Sequence, residues 1–191
     1  VNRAAALPDG TYDYTAMFTN LAPVVGAVDL AVCHLESPIA PDEQVIVPPP
    51  KLAVDPVNTS RLLASCNGVW QGLPWTQVFT PPANDQALAV AVGRTGISYA
   101  GTRGGKVFAS ADGTSWVGVF GLTAPAASSD IEPDPADASV VYAAFRSGAS
   151  RVVRLTRAPG GVLAYAANDI TANLPPTALV NALVVDRLRP L

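Results

Sequence analysis

Two short stretches hold the side chains whose types and spacing could do chemistry. Ser110-Ala111-Asp112-Gly113-Thr114-Ser115-Trp116 brings a hydroxyl, a carboxylate, a glycine and an indole within reach of one another. It lies between Lys106–Ser110 and Val117–Phe120, both strand-like, so it reads as a hairpin turn. In such a turn Asp112 and Ser110 accept backbone amide hydrogens and Trp116 supplies apolar bulk beneath. Asp112 is thus expected to hold structure rather than to catalyse. The second stretch is His34-Leu35-Glu36, at the end of an apolar run and containing the one histidine of the chain. A di-metal hydrolytic centre needs several converging His, Asp and Asn ligands, and His34 with Glu36 leaves most of those positions empty. A lone histidine on an apolar strand reads first as a hydrogen-bonded structural residue.

Other constellations fail on context. A sialidase needs arginines clamping a carboxylate, a tyrosine nucleophile and acidic partners. Arg94, Arg103, Arg146, Arg151, Arg154 and Arg157 are present with Tyr99 and Tyr142, but alternating arginines on strands read as solvated sheet faces. Gly101-Thr-Arg-Gly-Gly105 lacks the Gly-Lys-Ser/Thr ending of a phosphate cradle and reads as a hairpin turn. Ser-His-Asp catalysis would have to use His34, and no Gly-x-Ser-x-Gly elbow accompanies it. Asp130, Glu132 and Asp134 stand in a Pro-rich loop and are expected as solvated turn residues or weak cation binders.

Composition narrows the classes further. The chain has 191 residues, 49% hydrophobic, enough for a core that needs no disulfide staples. Twelve basic residues stand against 15 acidic ones, for a net charge of −3, and no basic run occurs. Nucleic acid is not an expected partner, because phosphate neutralisation needs clustered Lys and Arg. Cys33 and Cys66 make neither a metal cage nor a disulfide framework, and Cys33 reads as a buried, inert thiol. No apolar run is long enough to span a bilayer. The opening Val1-Asn2-Arg3 has no initiator Met or signal-peptide pattern and reads as a processed or excised end.

The elements that would position these residues change character along the chain. Met17, Phe18, Leu21, Val24 and Val25 recur at helical spacing, predicting a helix from about 15 to 25. Val28–Leu35 follows as a buried strand, so residues 1–41 read as an α/β segment. Tyr12-Asp13-Tyr14-Thr15-x-Met17-Phe18, then Val28-Asp29-Leu30-Ala31-Val32-Cys33-His34-Leu35-Glu36-Ser37-Pro38, resembles the N-terminal part of the CapA family of poly-γ-glutamate capsule biosynthesis proteins. That resemblance implies a metallophosphoesterase-like fold, with His34 and Glu36 near a divalent metal. The family's opening Gly-Asp strand and its later Asn-His and Gly-x-His motifs are missing here, so hydrolysis by this chain alone is not expected. Residues 42–50, ending in Pro48-Pro49-Pro50, read as a stiff linker.

From Lys51 to Leu191 short strands alternate with turns, in units that begin near Leu52, Ala87, Asp130 and Val180. Ala53-Val54-Asp55-Pro56, Gly101-Thr102-Arg103-Gly104-Gly105-Lys106-Val107-Phe108 and the Ser110–Trp116 turn resemble the repeats of BNR or Asp-box β-propellers, sialidase-like and photosystem-assembly-like. In those families the box ties the outer hairpin of a blade, which implies a structural role for Ser110, Asp112, Gly113 and Trp116. The fold expected is mainly β, an incomplete propeller-like array of antiparallel blades with the short N-terminal α/β segment. Three blades and a stub do not close a ring, so a second copy, the N-terminal segment or further blades are expected to cover the open edges. The function expected is a noncatalytic extracellular or cell-envelope module that binds a glycan or a protein. The alternatives are a fragment of a CapA-like metal-dependent enzyme and a truncated or recombinant chain with no evolved function.

Overall fold

The computed structural model describes residues 5–6, 12–13 and 51–186, apart from Leu73, Ala83 and Val162. The chain forms two compact units, Val1–Val45 and Ile46–Leu191. In the first, β1 (Ala5–Ala6) pairs antiparallel with β2 (Tyr12–Asp13). The helix expected near 15–25, the strand Val28–Leu35, His34, Glu36, Cys33 and the 42–50 linker lie outside the described residues.

The second unit is built of β-strands, with no helix among the described residues. Its strands form three four-stranded antiparallel sheets, each a meander of neighbours in sequence. Sheet I contains β3 (Leu52–Val54), β4 (Leu62–Cys66), β5 (Gly68–Gln71) and β6 (Thr76–Phe79). Sheet II contains β7 (Ala87–Val92), β8 (Ser98–Thr102), β9 (Lys106–Ser110) and β10 (Val117–Gly121). Sheet III contains β11 (Ser128–Pro133), β12 (Val140–Phe145), β13 (Val152–Arg157) and β14 (Tyr165–Asp169). Short β-branched and aromatic runs cut by Gly, Asn, Asp and Pro give this pattern, because each turn is only long enough to return the chain beside the strand it has just left.

Registers show the sheets to be repeats of one another. Opposite Leu52, Val90 and Ile131 on the first strands stand Ala64, Ala100 and Ala143 on the second. At the end of each first strand an amide bonds back across the turn: Asp55 to the Arg61 carbonyl, Gly93 to Ile97 and Asp134 to Val140. Asp55 and Asp134 are both buried and play one part, each Oδ1 accepting two amides of its own turn, from Val57 and Asn58 and from Ala136 and Asp137. Sheet II makes the same reversal with the shorter Gly93–Ile97 turn.

Each sheet has a leading face, which in sheets II and III meets the preceding sheet, and a trailing face, which in sheets I and II meets the next. Leu63 and Val69 on the trailing face of sheet I share a core with Val90, Val92 and Ala100 of sheet II. Tyr99, Val107 and Ala109 of sheet II meet Ile131, Val141 and Phe145 of sheet III in a second core. Each of these large side chains contributes about 1.5–3 kcal/mol by leaving water. The second joint is close enough to require a glycine. A Cβ on Gly101 would run into the hydroxyl of Ser128 and lie 2.7 Å from its Cβ.

Candidate functional site: the groove at the first strands

The first strands β3, β7 and β11 border a groove of about 420 Å³, together with Val185 from segment 181–186. Asp130 is its hub. Its Oδ1 accepts the Ile131 amide at 3.1 Å and lies 3.9 Å from Lys51 Nζ, while its Oδ2 accepts the Leu183 amide at 2.9 Å. One carboxylate therefore links sheet I, sheet III and segment 181–186. Arg94, at the sheet II turn, donates from Nη1 to the Pro135 carbonyl at 2.7 Å and joins sheets II and III at the same groove. Glu132 and Asp134 complete the charged lining.

Asp130 and Glu132 were expected in a loop, and that expectation is corrected: both lie on strand β11. Pro133 misled because proline usually breaks a ladder. Here it takes the final position, and the amide that bonds across to Val140 is that of the next residue, Asp134, so no ladder donor is lost. Asp134 is likewise no solvated loop residue. It is buried, and the Tyr142 hydroxyl donates to its Oδ2 at 3.3 Å.

The Ser110–Trp116 turn joins β9 to β10; Ser110, Asp112 and Gly113 meet within it, while Trp116 packs on Phe79 of sheet I. Asp112 Oδ1 accepts the Ser115 amide at 2.6 Å, the Thr114 amide at 2.8 Å and the Ser110 hydroxyl at 3.0 Å. The Ser110 Oγ in turn accepts the Gly113 amide at 2.9 Å. The Ser115 amide foremost, then the Ser115 hydroxyl and the Thr114 amide, hold the Asp112 carboxyl well below the ordinary range. A carboxylate so engaged is a poor proton shuttle. Gly113, at φ 79°, sits where a Cβ would come 2.7 Å from Arg61 Nη2, and Trp116 stacks on Phe79 with ring centres 5.0 Å apart. The turn therefore seats sheet II on sheet I, away from the groove.

Two arginines matter more than the sequence suggested. Arg61 bonds Asp55 Oδ2 at 3.1 Å, the Gly96 carbonyl at 3.1 Å, Ser98 Oγ at 2.6 Å and Gln71 Oε1 at 3.0 Å, tying the turns of sheets I and II. Burial pushes the Asp55 carboxyl up, but the Val57 and Asn58 amides and Arg61 outweigh it, so its pKa lies below the ordinary value. Arg151 was expected on a solvated face and is instead buried, its guanidinium bonded to the carbonyls of Leu174, Pro175 and Ala178. Five donors on a planar fork suit such a cluster of carbonyls, and nothing in the sequence around Arg151 marks those distant acceptors. The Asp-Pro turn at Asp55 was the available clue for Arg61.

Tyr99 is buried, its hydroxyl is 3.0 Å from that of Tyr165, and burial pushes its pKa far up, so it is not a poised nucleophile. Among the described residues no three His, Cys, Asp or Glu side chains converge as metal ligands, and no helix is long and apolar enough to cross a membrane. Cys66 is an exposed free thiol at the β4–β5 turn. What the groove offers is a set of fixed donors and acceptors beside exposed apolar side chains, Leu52 and Val54 among them. No family model and no curated protein matches the chain.

Proposed function

We propose that this chain is a noncatalytic, extracytoplasmic binding or assembly module made of propeller-like blades, and that its partner, a glycan or a protein, is held at the groove of the first strands. The observation that carries the reading is the groove itself: Lys51, Arg94 and Asp130 come from three different sheets and are brought to one concave surface by contacts between sheets. A concave site with a few oriented polar groups beside apolar side chains suits recognition. The three sheets, with matching registers and shared cores, serve as a rigid frame for it.

Arrays of glycans and of peptides, probed with the purified chain, test this. A ligand from either array should lose at least about tenfold in affinity on combined Lys51→Ala and Arg94→Ala substitution, about the 1.4 kcal/mol expected when charged contacts are removed. The melting temperature should change little, since Arg94 is exposed and the Lys51 pair is long. Binding that survives the double substitution, or silence on both arrays, overturns the proposal.

A further inference from the structure

The turns that follow the first strands of sheets I and III are built alike. Asp55-Pro56-Val57-Asn58-Thr59-Ser60 and Asp134-Pro135-Ala136-Asp137-Ala138-Ser139 align residue for residue. In each, the fourth residue closes the turn twice. Its side-chain oxygen accepts the amide two residues on, Ser60 to Asn58 at 3.2 Å and Ser139 to Asp137 at 2.9 Å. Its carbonyl accepts the amide that leads into the second strand, from Arg61 to Asn58 and from Val140 to Asp137. An aspartate in sheet III thus performs every bond that Asn58 makes in sheet I. The amide nitrogen of Asn58, which aspartate lacks, has no part in holding the turn.

The hydroxyls of the two turns differ as well. Ser139 donates its hydroxyl to Asp137 Oδ1 at 2.7 Å, whereas neither Ser60 Oγ nor Asn58 Nδ2 bonds to any described residue. All of residues 56–60 are exposed, so both groups face outward from a turn whose backbone is fixed by Asp55. Asn58-Thr59-Ser60 is also the one place in the sequence where an asparagine stands two residues before a serine or threonine. With a residue other than proline in the middle, and on the surface, that is the acceptor pattern of N-glycosylation.

We infer that Asn58 is a modification site, the acceptor of an N-linked glycan donated by a lipid-linked oligosaccharide pyrophosphate. Asn58 Nδ2 forms a bond to C1 of the first sugar, and the bond from C1 to the pyrophosphate oxygen breaks. The lipid pyrophosphate leaves with that electron pair, the Nδ2 proton passes to a base of the transferase, and nothing is oxidised or reduced. The unengaged Ser60 hydroxyl is the group the transferase reads. Asn58 Oδ1 keeps the Ser60 amide after transfer, so the turn persists. Pro56 of the same turn lines the groove, which puts the glycan at its rim. The inference rests on the extracytoplasmic placement proposed above, because transferases of this kind act on exported chains.

The test exports the full chain from eukaryotic cells behind a signal sequence and maps residue 58 by peptide mass, before and after treatment with peptide-N-glycosidase. The expected result is a glycan on Asn58 that the glycosidase removes, leaving aspartate at that position. Asn58→Asp and Ser60→Ala should each lose the glycan completely. Asn58→Asp copies the sheet III turn, so it should keep the melting temperature of the unglycosylated chain. If the chain is not exported, the same mapping after incubation with purified oligosaccharyltransferase and lipid-linked oligosaccharide decides the matter. Asn58 left unmodified in the exported chain or by the purified enzyme overturns the inference, as does a glycan that persists in Asn58→Asp. Either failure leaves the groove proposal to the arrays, which are probed with unglycosylated chain, and silence on the arrays leaves a glycan found on Asn58 in place.

Discussion

Sheets I and II present similar leading faces to different surroundings. Val90 and Val92 of sheet II are 6% and 8% exposed, whereas Leu52 and Val54, at the same ladder positions of sheet I, are 48% and 36% exposed. Both pairs stand on first strands and both oppose the second strand in the same register. The difference is the neighbour: sheet II leans on Leu63 and Val69, and no described residue plays that part for sheet I. Local pattern therefore decides which side chains share a face. Burial, and with it the energetic weight of each residue, comes from what is stacked on that face.

The strongest way to break this comparison is to truncate matched positions. Ile131→Ala, at a fully covered position, should cost about 3–4 kcal/mol in chemical denaturation, while Leu52→Ala should cost less than about 1 kcal/mol. Equal losses would mean that the face of sheet I is covered in solution. Arg61→Ala comes next, at about 2–3 kcal/mol, because it removes a largely buried guanidinium from Asp55, Ser98 and Gln71 at the joint of sheets I and II. The Asp55 carboxylate keeps its two turn amides, which holds the loss below that of a fully orphaned charge.

Gly101→Ala sharpens the comparison at the other joint. The new Cβ collides with Ser128, so a loss of about 2 kcal/mol is expected, and adding Ser128→Gly should recover much of it. The same glycine change at Gly121, whose Cβ would meet only the Lys106 side chain at 3.7 Å, should be close to neutral. Thermal melts of the three variants separate a joint effect from a general dislike of substitution.

The smallest effect is in acid. Asp55 and Asp112 both have carboxyl pKa values below the ordinary 3.8. Each then contributes stability that is fully present above the unfolded value and is lost as pH falls through the lower folded value. Denaturation midpoints should be flat through neutral pH and fall below about pH 4, with a shallower fall in Asp55→Asn and in Asp112→Asn. A slope unchanged by both substitutions would show that other carboxylates govern acid unfolding.

Several features could be read directly from residues in a row. The Ser110–Trp116 turn follows from its own seven residues, since its bonds run between neighbours. The strand runs of sheets I to III follow from short apolar stretches cut by turn residues, and their near-equal repeats betray the common register. The groove was hidden. Its charges stand at positions 51, 94, 130, 132 and 134, scattered along the chain, and Pro133 disguised the strand that carries two of them. Arg151 was hidden for the same reason, because its carbonyl partners lie more than twenty residues downstream.

Sequence alone thus settled what depends on contacts within a turn: the β class of residues 51–186, cut into short strands by turns, and the hydrogen-bonding part of Ser110 and Asp112. Tertiary structure decided which faces are covered and which carboxylate becomes a hub. The physical reason is range. Backbone sterics and near-neighbour hydrogen bonds act over a few residues, whereas burial and the meeting of Lys51, Asp130 and Leu183 exist only once distant strands have been stacked.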